Sequence, residues 1–148
     1  MPSEIIQKQI IEMAKIDQDL RIQAKPGKEL INYLIYAIDS VHNYRLRKII
    51  EKYGYPTQKI IGKEGMNSLW LLMQHQDYDV DLQENCLKNC DFEPKDKAFL
   101  TDRVLIHKGE KQIYGTQSKR IDGKLALAPI ENEADVNKRR KAVGLNPL

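Results

Sequence analysis

"WLLMQHQDYD" occupies residues 70–79. With Leu69 before it, the stretch opens on apolar residues through Met73 and stops abruptly at Gln74, His75 and Asp77. Such a run reads as a helix facing a core. Its polar end raises the question of what an amide, an imidazole and a carboxylate do at the edge of that core.

Outward from this helix, expected over about residues 64–76, the chain reads as further helices. Ser3 can cap a first one carrying Ile6, Ile10, Met13 and Leu20 on or near one face, ended by the breaker "KPG" (25–27). A long helix over roughly 28–53 carries Ile31, Leu34, Ile35, Ile38, Leu46 and Ile49, and "YGYP" (53–56) stops it. "QKIIGKEG" (58–65) reads as a short loop or strand, and another helix covers about 80–90. Pro94 and Gly109 bracket the next helix. Asp122-Gly123, a type I′ turn signal, sits in a β-hairpin, and a last helix spans about 132–142. The expected class is therefore mainly α: one globular domain over 1–148, a compact bundle of five to six helices with a small C-terminal β-hairpin.

Composition narrows the function. The chain has 148 residues and a net charge of +3, the size and balance of one soluble domain. No stretch approaches the roughly 20 apolar residues that span a bilayer. "MPSEIIQKQI" (1–10) lacks the apolar region of a signal peptide. The chain as it stands is expected in the cytoplasm, an export signal removed upstream being the other possibility. Cys86 and Cys90, spaced i, i+4, are expected as free thiols. "KRRK" (138–141) is the only dense basic run and reads as a solvated face. Nucleic acid is not an expected partner, because no concentrated basic face with interleaved aromatics is present.

Residues three or four apart share a helix face, and that rule exposes a repeated anomaly. Asp17 follows Ile10, Met13 and Ala14, with Arg21 one turn on. His42 lies between Ile38 and Leu46, beside Asp39. His75 extends the stripe of Leu71 and Leu72, and Asp102 is enclosed by Ala98, Phe99, Leu105 and Ile106. An unpaired buried polar group costs roughly 1–3 kcal/mol, so four helices each donating one suggests that they meet in a polar pocket. A structural network is the plain alternative.

A metal would suit histidines and carboxylates, but no His-x-x-x-His or His-Glu-x-x-His is present. "DYDVD" (77–81) fails as a calcium loop at Leu82 and Lys88. A metal is therefore not favoured and the cofactor stays open. No Gly-x-Ser-x-Gly elbow or phosphate loop occurs.

The chain resembles a family of bacterial proteins known as a domain of unknown function. The likeness runs through "DQDLR" (17–21), "RLRKIIEKYGYP" (45–56), "IGKEG" (61–65), "WLLMQHQDYDVDLQ" (70–83), "LTDRVLIHKG" (100–109), "QIYGTQ" (112–117) and "RRKAVGLNPL" (139–148). Its fixed points include Asp17, Arg21, Asp39, Gln74, His75, Asp77, Asp102, Arg103, Gln112, Tyr114, Gln117, Arg139 and Arg140. Tyr55 stands where the family usually has Trp, and His42 where it has Asn. The resemblance implies no activity.

The reading that joins these observations is an enzyme, a hydrolase or transferase acting on a small polar substrate. His75 would be the acid or base, with Asp77 or Asp102 orienting it and Arg103 or Arg21 holding negative charge. Asp17, Arg21, Gln74, Gln112, Tyr114 and Gln117 would bind substrate, the last two as a lid of hydrogen-bonding groups. The alternatives are a binding module for a peptide, sugar or nucleotide, and a structural domain of a bacterial conflict system.

Overall fold

The computed structural model describes all 148 residues and contains six α-helices and one two-stranded sheet. The helices are α1 (Pro2–Ile22), α2 (Glu29–Tyr53), α3 (Gln58–Gln74), α4 (Val80–Asn89), α5 (Pro94–His107) and α6 (Val136–Ala142). The strands are β1 (Ser118–Ile121) and β2 (Lys124–Leu127), and a single 3₁₀ turn, Glu133–Asp135, precedes α6. No helix is long and apolar enough to cross a membrane. The chain divides into two units: residues 1–76 with 89–91, and residues 77–88 with 92–148.

In the first unit α1 packs on α2 and α3. The i, i+3, i+4 pattern of α1 supplies Ile6, Ile10, Met13 and Ala14, all buried. Leu46 and Ile49 of α2, and Ile61, Met66, Leu69, Leu72 and Met73 of α3, close over them. Each large apolar side chain so buried contributes roughly 1.5–3 kcal/mol. The apolar half of the opening stretch is thus core.

Two details depart from the sequence reading. Residues 58–61 are neither loop nor strand: α3 starts at Gln58, whose N–H is capped by the Asp91 carboxylate at 2.7 Å. A kink at Gly62 (φ +68°) then joins two helical segments, and a Cβ there would lie 3.3 Å from the Gln7 side chain. The kink needs a residue that tolerates positive φ, and α1 leaves little room for a side chain.

The first half of α2 is the second departure. Leu34, on the expected stripe, is exposed and Ile31, Ile35 and Ile38 are only half-buried, with Leu30, Tyr33 and Tyr36 exposed beside them. The cause is register. Arg21, at the end of α1, bonds Asp39, so residues 29–38 run about 15 Å beyond the point where α1 stops.

In the second unit, Leu82, Cys86, Leu100, Val104, Ala128 and Val136 are buried. Asp79 accepts from the Leu82 N–H (3.1 Å) and so caps α4. Asp122 (φ +50°) and Gly123 (φ +77°) make the tight turn of the hairpin, with Ile121 paired to Lys124 and Ser118 to Leu127. Residues 112–117 precede β1 as an irregular loop. Cys86 and Cys90 are free thiols.

Candidate functional site

The first unit brings four of the anomalous polar residues together. Asp17, only 2% exposed, sits at the centre. Its Oδ1 accepts from Arg21 Nε (3.0 Å), and its Oδ2 accepts from the Gln18 amide (2.8 Å). Arg21 Nη2 donates to both oxygens of Asp39, at 2.7 and 2.8 Å. Position 17 and position 21 are one turn apart on α1, and Asp39 faces them from α2. The helical spacing therefore places a carboxylate–guanidinium–carboxylate chain along the α1–α2 seam.

His75 is the residue that ends α3. Its Nδ1 is buried and lies 2.8 Å from Asp17 Oδ2, with the N–H off the line between them. The contact is close but is not an aligned hydrogen bond. A carboxylate can only accept, so a neutral ring in this position favours its proton on Nδ1, which leaves Nε2 as the acceptor. The side chain is 20% exposed, and with Nδ1 buried that exposure falls on the opposite edge of the ring.

Charge follows from this arrangement. Burial pushes the Asp17 carboxyl up, but the contacts with His75, Gln18 and Arg21 outweigh it and hold the group at about 2. Burial raises the Asp39 carboxyl, against the pull of Arg21. Burial works to lower Arg21, and its two carboxylate partners overcome that and raise it. Burial also lowers His42, which is 2% exposed and feels Asp17 and Arg21, so its neutral form is favoured. Two carboxylates against one guanidinium leave one excess negative charge while His75 is neutral, and none when His75 carries a proton.

Unpartnered polar atoms accompany this chain of charges. Nδ1 of His42, Nε2 of Gln74 and Oε1 of Gln76 are buried without hydrogen-bond partners. Gln76 Nε2 donates to the Asp39 carbonyl (3.2 Å), which ties the end of α3 to α2. Sequence reading passed over Gln76 because it lies past the helix, where periodicity gives no signal. No group of three or more His, Cys, Asp and Glu side chains is placed to hold a metal ion.

The remaining sequence candidates belong to the second unit and are bonded within it, Tyr114 through its backbone alone. Asp77 is gripped by Arg103, Nε to Oδ1 at 2.7 Å and Nη2 to Oδ2 at 2.6 Å, with His107 Nε2 3.4 Å from Oδ2. That fork is a bidentate ion pair. Asp102 is fully buried, and its two oxygens collect the N–H groups of Ile113 (2.7 Å), Tyr114 (3.0 and 3.1 Å) and Thr116 (3.0 Å) and the Thr116 hydroxyl (2.9 Å). Gln112 donates to the carbonyls of Gln117 and Ala128 and accepts from the Gln117 N–H, each at 2.8 Å. Gln117 Nε2 bonds the Thr116 hydroxyl (3.2 Å).

Arg139 and Arg140 complete that framework. Arg139 donates to the carbonyls of Ile113 (2.8 Å) and Glu131 (2.6 Å), and Arg140 to those of Tyr114 (2.6 Å) and Asn146 (2.5 Å). Half of "KRRK" is thus a clamp on backbone carbonyls rather than a solvated face. The "YGTQ" loop is held from within by Asp102 and Gln112 and from outside by two guanidinium groups.

Over residues 4–148 the chain matches a family of unknown function (DUF6624), and it belongs to that family. No curated protein and no solved structure matches it.

Proposed function

We propose that this member of the DUF6624 family is an enzyme whose acid–base group is His75, oriented by Asp17. The observation that supports it is the Nδ1–Oδ2 contact of 2.8 Å, which favours a proton on Nδ1 and so leaves Nε2 as the basic nitrogen of a side chain that is 20% exposed. In the sequence reading Asp77 and Asp102 were the orienting groups. Both are engaged within their own unit, and Asp17 takes the role.

The step is a proton transfer. Nε2 removes a proton from a water or substrate hydroxyl, and the imidazolium that forms is stabilised by the Asp17 carboxylate. Arg21 keeps Asp17 in place through Nε while Asp39 fixes the far end of the guanidinium. Proton return from Nε2 to the leaving group completes a hydrolysis or group transfer on a small polar substrate.

A panel of ester, amide and phosphoester substrates tests this. Wild-type protein should turn over at least one class, and His75→Gln should lower that rate by roughly a hundred- to ten-thousandfold with an unchanged circular dichroism spectrum. Turnover that survives His75→Gln, or a wild-type protein inert across the panel, contradicts the proposal.

A further inference from the structure

A second concave surface of the first unit lies along the same α1–α2 seam and has an opposite character. It is lined by Tyr44, Arg45, Lys48, Lys52 and Tyr53 of α2 and by Gln9 of α1, with Ile49 in the lining. Ile49 is only 6% exposed and makes an apolar floor. Positions 45, 48 and 52 recur at three and four residues, so helical geometry aligns three cations beside Tyr44 and Tyr53, a basic face with aromatics that was not expected from the sequence. No carboxylate lines the groove. Glu51 stands outside that lining and binds Lys48 at 2.7 Å, while Arg45 and Lys52 have no carboxylate partner.

The aromatics carry the second half of the argument. Tyr44 is 64% exposed, with Lys48 5.9 Å from its ring centroid, and Lys52 lies 5.0 Å from the ring of Tyr53. An exposed ring beside cations over an apolar floor offers a flat stacking surface. Cations that track phosphates next to rings that stack on a base are the two elements of nucleotide recognition. From charge complementarity and this pairing we infer that the groove binds a nucleoside polyphosphate, phosphates on Arg45, Lys48 and Lys52 and the base on Tyr44. The site is independent of any turnover at His75.

Isothermal titration with ATP, inorganic triphosphate and adenosine separates the two elements. ATP should bind saturably, and triphosphate and adenosine each roughly tenfold or more weaker, since each lacks one of the two elements, the stacked base or the charged phosphates. Tyr44→Ala should bring ATP down to the triphosphate level. Arg45→Gln/Lys52→Gln should weaken ATP at least about tenfold, whereas Lys138→Gln/Lys141→Gln in the second unit should leave it unchanged. Absence of saturable ATP binding overturns the inference. So does equal affinity for ATP and triphosphate with no effect of Tyr44→Ala, or ATP binding that survives the groove double variant.

Discussion

Asp102→Asn is the substitution whose cost the geometry specifies most closely. The carboxylate serves four donors of one loop: three backbone N–H groups and the Thr116 hydroxyl. An asparagine keeps one oxygen and puts an NH₂ group where the other was. With the oxygen at the Oδ1 position, the Thr116 N–H faces a donor. With the amide flipped, the Ile113 N–H does. Either way one buried N–H loses its partner, at roughly 1–3 kcal/mol, and the bonds that remain lose the charge that strengthened them, at about 1 kcal/mol apiece. The expected loss is about 3–5 kcal/mol, a large share of the stability of a small domain.

Urea unfolding of wild-type and variant protein measures that loss. Hydrogen exchange localises it: the amides of Ile113, Tyr114 and Thr116 should lose protection, while those of α1 and α3 should lose only as much as the global stability does. A change under about 1 kcal/mol, or unaltered protection of those three amides, would refute the assignment of Asp102 to the loop and return it to the list of residues that can act on a substrate.

Three further outcomes follow from the same structure. Because burial favours neutral His42 in the folded state, the unfolded chain takes up that proton more readily, so stability should fall as pH drops below the ordinary imidazole value of 6.5; His42→Asn should remove that limb from a thermal-unfolding pH series. Asp17, held at about 2 against the ordinary aspartate value of 3.8, contributes stability that is present above 3.8 and lost as pH falls toward 2. The amount is about 2 kcal/mol, partly offset by the raised carboxyl of Asp39, and acid unfolding of Asp17→Asn should lack it. Gly115→Ala should cost about 1–3 kcal/mol in urea unfolding. Its φ is +68° and the new Cβ would lie 2.9 Å from Leu148 and 3.1 Å from Ile130, so a Leu148→Ala background should recover part of that cost.

Helical periodicity made part of this legible before any coordinates. Asp17, Arg21 and Asp39 stood out because each interrupts an apolar stripe, and a stripe fixes which face a side chain occupies. His75 stood out the same way at the end of "WLLMQ". The same rule flagged Asp102 but not its partners, which lie in residues 113–116, a loop with no period to read. Gln112, Gln117, Arg139 and Arg140 were visible as polar residues, yet their bonds run to backbone carbonyls and amides whose directions only the folded loop defines. The kink at Gly62 was hidden for a related reason: a lone glycine in an apolar segment fits a loop as well as a bent helix. The exposed first half of α2 shows the limit of pattern itself, because a stripe says which residues could be buried and not whether a neighbour is there to cover them.

On the proposed mechanism Asp17 fixes the proton of His75 on Nδ1 and leaves Nε2 bare. Heteronuclear NMR of the imidazole nitrogens, with His75 identified by its loss in His75→Gln, reads this directly. A neutral ring protonated at Nδ1 is expected, with that preference lost in Asp17→Asn. A neutral ring carrying its proton on Nε2, or a tautomer indifferent to Asp17→Asn, would contradict it.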